Sequence, residues 1–144
     1  MKVFFLVLRI ALGLLFLYAG WAKSMASDQF LFALIPFTFL PIEWLPWVAR
    51  GLPLVEILAG VLLLAGFRKA GGVLVVLMCL VFISVLGWAL MNDIIVACSC
   101  FGKDETPSAG KMWLAIGRDV GLMLVAMAVA LEKKVLGWLE RSRA

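Results

Sequence analysis

Two cysteines lie one residue apart in a short polar stretch of an otherwise apolar chain. Cys98-Ser99-Cys100 is followed by a Phe-Gly turn, three charged residues and a proline in the sequence IIVACSCFGKDETPS. Two thiols this close are usually oxidised or engaged by a partner in an oxidising compartment. A disulfide across one residue departs from relaxed geometry, and strain raises the reduction potential, which favours exchange. The pair predicts redox-active thiols, with a structural disulfide and metal ligation as the alternatives.

Four charged residues interrupt the apolar runs and form the second group that could take part in chemistry: Arg9, Glu56, Arg118 and Asp119. Charges at such depth are costly and are functional candidates by default. One interpretation is structural: a buried Arg9–Glu56 pair fixes the helix register, while Arg118 and Asp119 close the outer end. In the other, Glu56 and Asp119 carry protons as the thiols change redox state, because forming a disulfide releases protons.

The remaining cysteine has a different setting. Cys79 lies midway along an uncharged apolar run, about 28 Å from Cys98 if the helix continued at ~1.5 Å per residue, so the two cannot react directly. A lone cysteine at such a position predicts a packing residue. The chain contains no histidine, which removes the commonest metal ligand and general base.

Composition indicates the class of protein that must position these residues. Of 144 residues, 65% are hydrophobic and only 15% are charged, far from the balance of a soluble domain. Four runs have the length that a membrane-crossing helix needs, at residues 3–22, 47–67, 70–92 and 112–131. Lipid cannot satisfy free backbone groups, so the runs predict an all-α integral membrane four-helix bundle that forms a single domain over residues 1–144. The first run is expected to be retained, because it offers no A-x-A-like cleavage site.

Charge placement predicts the orientation of the bundle. The termini and the second loop hold an excess of basic residues, whereas the first and third loops mix Lys23, Lys103 and Lys111 with acidic residues. The positive-inside rule therefore predicts that both termini are cytoplasmic. In a bacterial inner membrane this puts Cys98 and Cys100 on the periplasmic side. The modest net charge of +4 reports orientation and does not indicate nucleic-acid binding.

The first loop, FLFALIPFTFLPIEWLPW, is unusually apolar. Its prolines recur every five residues, which forbids one continuous helix. One interpretation is an aromatic belt segment at the level of the lipid headgroups. The other is an apolar cap over a site at the outer end of the bundle, in which Phe37, Phe39, Trp44 and Trp47 contact a quinone or a partner.

Several motifs together resemble a known family. RIALGLLFLYAGWAK and LVEILAGVLLLAGFRKAGGVLVVLMCLVF resemble the DoxX-like family of small four-helix membrane proteins, and CSCFG with the later IGRDVGLMLVA resembles its MauE branch, the methylamine utilisation membrane proteins. The resemblance implies action with a periplasmic thioredoxin-like partner, in disulfide formation or maturation of a secreted enzyme. It also implies that Cys98 and Cys100 are the redox pair, and that Glu56, Arg118 and Asp119 are family-typical polar positions.

The sequence thus predicts a membrane thiol–disulfide redox protein, with the lipid bilayer and a thioredoxin-like protein as partners. Whether it is an oxidoreductase in its own right stays open. By analogy with other four-helix membrane thiol oxidases, a quinone is a candidate cofactor. Two alternatives belong to other classes: a protein that handles soft metals through the cysteines, and a structural assembly subunit in which the disulfide only shapes the third loop.

Overall fold

The computed structural model describes residues 2–95 and 108–143. These residues form helices joined by turns, with no strand among them. The helices are α1 (Lys2–Met25), α2 (Ser27–Leu34), α3 (Leu45–Leu64), α4 (Arg68–Met91), α5 (Ala109–Ala130) and α6 (Glu132–Arg143).

Four of these helices, α1, α3, α4 and α5, are long and apolar enough to cross a membrane, which confirms the predicted all-α four-helix membrane bundle. The predicted boundaries are close to those observed, with one consequential difference. Helix α1 does not end at residue 22 but continues through Lys23 to Met25. The two shorter helices, α2 and α6, were not predicted, because neither has the length of a membrane span.

Proline and glycine mark the ends of α3. Pro46 lies in its first turn, where a missing backbone N–H costs no helical hydrogen bond. Gly66 follows its last residues with a φ of +98°, a conformation that strongly favours glycine. The chain therefore turns sharply at Gly66 and starts α4 at Arg68 almost at once.

Helix α1 packs most extensively against α3, and α4 against α5. Small residues allow the first pair to come into backbone contact. A Cβ on Gly60 would lie 2.7 Å from the carbonyl oxygen of Gly13, and a Cβ on Gly20 would lie 2.8 Å from that of Pro53. Close approach through glycine is a common way for membrane helices to associate. It fixes the register of the antiparallel α1–α3 pair.

The apolar interior consists of two separate clusters of buried residues. We call the first the cap-side cluster; its members are Phe30, Leu34, Phe37, Leu45, Ala49, Leu86, Ala89, Met112 and Ala115. We call the second the terminal-side cluster, because it lies toward the end of the bundle where α1 begins; its members are Leu12, Phe16, Ala59, Leu63, Val75, Met78, Cys79, Ala126 and Val129.

The segment from α2 to the first turn of α3, residues 27–47, covers one end of the bundle, and we call it the cap. Phe30 and Leu34 of α2, and Phe37 just after it, are buried in the cap-side cluster against α3, α4 and α5. Trp44 and Trp47 in the same region are 63% and 81% exposed. The segment thus has an inward apolar face that packs against the bundle and tryptophans that are exposed on its outside; an aromatic belt and a contact site for a quinone or partner both stay predictions.

Candidate functional site

A layer of charged residues separates the two apolar clusters. Lys23 of α1, Glu56 of α3, and Arg118 and Asp119 of α5 line a small cavity, together with Cys79 of α4 and apolar neighbours. The charges come from α1, α3 and α5, and all four membrane-length helices contribute to the lining of the cavity. The cavity has a volume of about 30 Å³, so water would fit only in very small numbers.

The centre of the charged layer is an ion pair between α1 and α3. Lys23 Nζ lies 2.5 Å from Glu56 Oε1, and the two residues are only 4% and 2% exposed. The ammonium group also lies over two aromatic rings, 4.6 Å from the centroid of Phe82 and 5.7 Å from that of Phe30. Cation–π attraction is strongest where water is excluded, so the rings help to offset the cost of burying the lysine.

The local sequence explains why these two side chains meet. Pro53 lies inside α3, one turn before Glu56, and its ring is fully buried. Gly20, one turn before Lys23, packs directly against the carbonyl oxygen of Pro53. Because no side chain separates the backbones here, α1 lies close enough for the lysine to reach the carboxylate. The residue pairs Gly20–Lys23 and Pro53–Glu56 therefore form one contact unit.

The second ion pair of the charged layer joins neighbours on α5. Arg118 donates to Asp119 Oδ1 from Nη2 at 2.9 Å and from Nε at 3.2 Å. The Asp119 side chain is 6% exposed and that of Arg118 is 31% exposed. The aspartate thus faces the interior, while the arginine folds back over it from the bundle surface.

The structure corrects one predicted contact. The pair Arg9–Glu56 is wrong, because Glu56 pairs with Lys23. Arg9 precedes Lys23 by nearly four helical turns on α1, about 21 Å along the axis at ~1.5 Å per residue. Among the described residues, Arg9 Nε is buried and has no hydrogen-bond partner. Arg9 thus lies apart from the charged layer, which brings together the other three predicted charges, Glu56, Arg118 and Asp119.

Sequence reasoning missed the contribution of Lys23. The residue ends an apolar run, so it resembled the polar flank of a membrane span. The available signal was Gly20, three residues earlier, because a small residue on the helix face that carries a lysine permits close contact with a neighbouring helix.

The four aromatic residues predicted to contact a quinone or a partner divide into two groups. Phe37 is buried, with its ring centroid 6.0 Å from that of Trp88, and Phe39 packs edge-on against the same tryptophan at 5.2 Å. Trp44 and Trp47 are exposed on the outside of the cap. The structure therefore brings together Phe37 and Phe39 but leaves the tryptophans on the surface.

The predicted redox pair, Cys98 and Cys100, lies outside the described residues. The described chain stops at Ile95 and resumes at Ser108. Close to these ends, Ile94 packs against the cap-side cluster and Met112 belongs to it. Cys79 is 2% exposed within the terminal-side cluster, which confirms the prediction that it is a packing residue.

Four apolar membrane-length helices around two apolar clusters and a buried charged layer define a multi-pass integral membrane protein. The family model described as Methylamine utilisation protein MauE matches residues 1–132, and the chain belongs to this family. Comparison with curated proteins and with solved structures gives no significant match. The wider relationship to DoxX-like proteins stays a prediction from the sequence.

Proposed function

We propose that this protein is a membrane thiol–disulfide redox protein that exchanges electrons with a periplasmic thioredoxin-like partner through Cys98 and Cys100. The observation that carries the proposal is the Cys-Ser-Cys sequence within the connection from α4 to α5, in a chain whose match to MauE covers this connection. The exchange would support disulfide formation or maturation of a secreted enzyme, and the family description indicates methylamine utilisation as the process served.

The position of the connection supports this proposal. It joins the ends of α4 and α5 that pack against the cap-side cluster. The exposed Trp44 and Trp47 belong to the cap at this same end of the bundle. Amphipathic aromatic side chains are favoured at protein interfaces, so they are candidate contacts for a soluble partner. Phe37, Phe39 and Trp88 form the apolar surface under which a quinone would be held.

The chemical step is a two-stage exchange. A thiolate from one of the cysteines attacks the disulfide of the partner, which forms a mixed disulfide and releases one partner thiolate. The second cysteine then attacks the mixed disulfide, releases the other partner thiolate and leaves Cys98–Cys100 oxidised. Two electrons have passed to the partner, and the same steps in reverse oxidise it.

The buried charged layer supports a positioning role, because Lys23 and Glu56 already neutralise each other in direct contact. A paired lysine and glutamate with well-placed neighbours fix the register of α1 against α3, as polar residues do in other helix assemblies. Proton transfer by Glu56 and Asp119 is the alternative role for this layer.

The proposed orientation has both termini in the cytoplasm of a bacterial cell and the cysteines in the periplasm. Lys2, Arg68, Lys69, Lys133 and Lys134 lie at or near the helix ends on one side of the bundle. The burial of Lys23 removes one cation from the opposite side. The charge asymmetry used by the positive-inside rule is therefore greater than the sequence alone indicated.

The proposal is tested by a thiol-trapping redox titration of the purified Cys79→Ala variant, in which only Cys98 and Cys100 can be labelled. The labelled mass is followed across a series of dithiol buffers. A reversible two-electron transition at roughly −120 to −180 mV, the range of known disulfide donors, is expected for an exchange pair. A pair reduced only far below this range would identify a structural disulfide instead.

Soft-metal handling is the main alternative function, since two thiolates close together suit Cu(I) or Zn(II). It predicts thiols that do not pair at any buffer potential and that bind metal stoichiometrically when reduced. The matched control is Cys98→Ser/Cys100→Ser, which leaves Cys79 as the only thiol and should bind no metal.

A structural assembly subunit is the other alternative. If the disulfide only shapes the third loop, the same two serine substitutions should leave the pathway that the protein serves active.

A further inference from the structure

A basic groove lies at the end of the bundle opposite the cap. It is formed where the α3–α4 connection meets the α5–α6 connection and has a volume of about 550 Å³. Its charged lining residues are Arg68, Lys69, Lys133, Lys134 and Glu132. The four cations exceed the single carboxylate, so the groove is strongly positive.

One internal contact holds the two sides of this basic groove together. Arg68, at the start of α4, forms an ion pair with Glu132, at the start of α6. The carboxylate is thereby neutralised from within the protein. Lys69, Lys133 and Lys134 are exposed at the same place and supply the charge available to an incoming ligand.

The apolar part of the groove lies beside these cations. Phe67 is 62% exposed and Leu131 is 45% exposed, and both line the groove with Val129 at the end of α5. A ligand that fits must therefore combine an anionic group with hydrocarbon. A soluble anion such as free phosphate would leave the phenylalanine and leucine exposed.

Helix α6 extends this amphipathic character. It is short and carries charged residues near both ends, and Trp138 in the uncharged stretch between them is 68% exposed. Short basic helices with an exposed tryptophan are typical of the boundary between lipid headgroups and acyl chains. The groove therefore opens at the level where phospholipid phosphates lie.

We propose that this basic groove binds the headgroup of an anionic phospholipid, with Lys69, Lys133 and Lys134 on the phosphate and with Phe67 and Leu131 against the glycerol and upper acyl chains. Basic pockets between membrane helices are known to take anionic headgroups. The site is independent of the thiol chemistry proposed above and remains intact if that proposal fails.

The test is native mass spectrometry of the full-length protein released from detergent with defined lipids, phosphatidylglycerol and phosphatidylcholine. The variant Lys133→Gln/Lys134→Gln removes two groove cations. Its matched control, Arg141→Gln/Arg143→Gln, removes two cations from the same helix outside the groove. At about 1 kcal/mol per basic residue, the groove variant should lose roughly thirtyfold in affinity for phosphatidylglycerol.

Support requires that the wild type prefers phosphatidylglycerol, that the groove variant loses this preference, and that the control retains it. Equal losses in both variants would show diffuse surface attraction and overturn the site. Equal binding of the two lipids would also overturn it. Competition by millimolar inorganic phosphate as effective as that by the lipid would assign the groove to a soluble anion. Thermal unfolding of both variants verifies that each remains folded.

Discussion

Lys23 and Glu56 are separated by 33 positions in the chain, yet their side chains meet at 2.5 Å inside the bundle. Neither side chain has appreciable access to water, since both residues are at most 4% exposed. The pair therefore couples α1 to α3 in a way that apolar packing alone does not. Removing one member leaves the other charge buried without its partner, which is more costly than removing both.

The first prediction concerns the stability of this ion pair. Glu56→Gln and Lys23→Met should each destabilise the protein by about 3–5 kcal/mol, because a buried charge loses its partner. The double variant should recover a large part of the loss. Equilibrium unfolding in mixed detergent micelles measures the free energy of unfolding of each variant. Glu43→Gln, an exposed carboxylate in the cap, is the control and should change stability by less than about 0.5 kcal/mol.

A second prediction distinguishes the observed partner of Glu56 from the one that the sequence indicated. In double-mutant cycles, Lys23 and Glu56 should show a coupling energy of at least about 1 kcal/mol, whereas residues more than ~10 Å apart usually show almost none. Arg9 and Glu56 should therefore be additive. A substantial Arg9–Glu56 coupling would contradict the arrangement of α1 against α3 described above.

A third prediction tests the glycine contact that aligns α1 with α3. A Cβ on Gly20 would meet Pro53 O at 2.8 Å, so Gly20→Ala should separate the helices and lower the unfolding temperature. Gly121→Ala is the matched control, because a Cβ there meets nothing within 4 Å. On α5 it should be neutral or slightly stabilising, by up to about 1 kcal/mol. Similar losses in both variants would contradict close packing at Gly20.

The cap supplies the fourth prediction. Phe37 is 3% exposed and Phe39 is 54% exposed, although the two rings are close neighbours. Truncating a buried phenylalanine costs about 3–5 kcal/mol, so Phe37→Ala should destabilise the protein far more than Phe39→Ala. Thermal unfolding compares the stability of the two variants.

The proposed partner contact extends this prediction to the exposed Trp47. Trp47→Ala should slow disulfide exchange with the partner while leaving the unfolding temperature unchanged.

A fifth prediction concerns orientation and thiol access. A membrane-impermeant maleimide added to intact spheroplasts should label Cys98 and Cys100 after reduction, because the proposed topology places them outside. Cys79, at 2% exposure, should react only after unfolding. The variant Cys98→Ser/Cys100→Ser, which keeps only Cys79, and the variant Cys79→Ala, which keeps only the pair, separate the two signals. Labelling of the pair only after lysis would reverse the proposed orientation.

Much of the fold follows from hydropathy, because a bilayer permits few structures for long apolar runs. The four apolar runs of the sequence therefore coincide closely with four long helices. Helix α6 was missed because its charges interrupt the apolar pattern and its 12 residues are too few for a membrane span.

The candidate site was predictable only in part. Glu56, Arg118 and Asp119 were found because charge is conspicuous inside an apolar run. Lys23 was not found, because a lysine at the edge of a run can extend outward to the headgroups as well as inward to a carboxylate. Which direction it takes depends on Gly20 and Pro53, and hence on a contact between two helices that a single sequence does not display.

The charged layer also constrains how the protein is made. Lys23 lies near the end of α1 and can extend to the lipid headgroups while that helix is alone in the bilayer. Glu56 lies well inside α3 and has no such route. During synthesis α1 precedes α3, so Lys23 is already in the membrane when Glu56 is inserted. Membrane insertion of α3 should therefore depend on its docking against α1, which makes these two helices the first assembly unit.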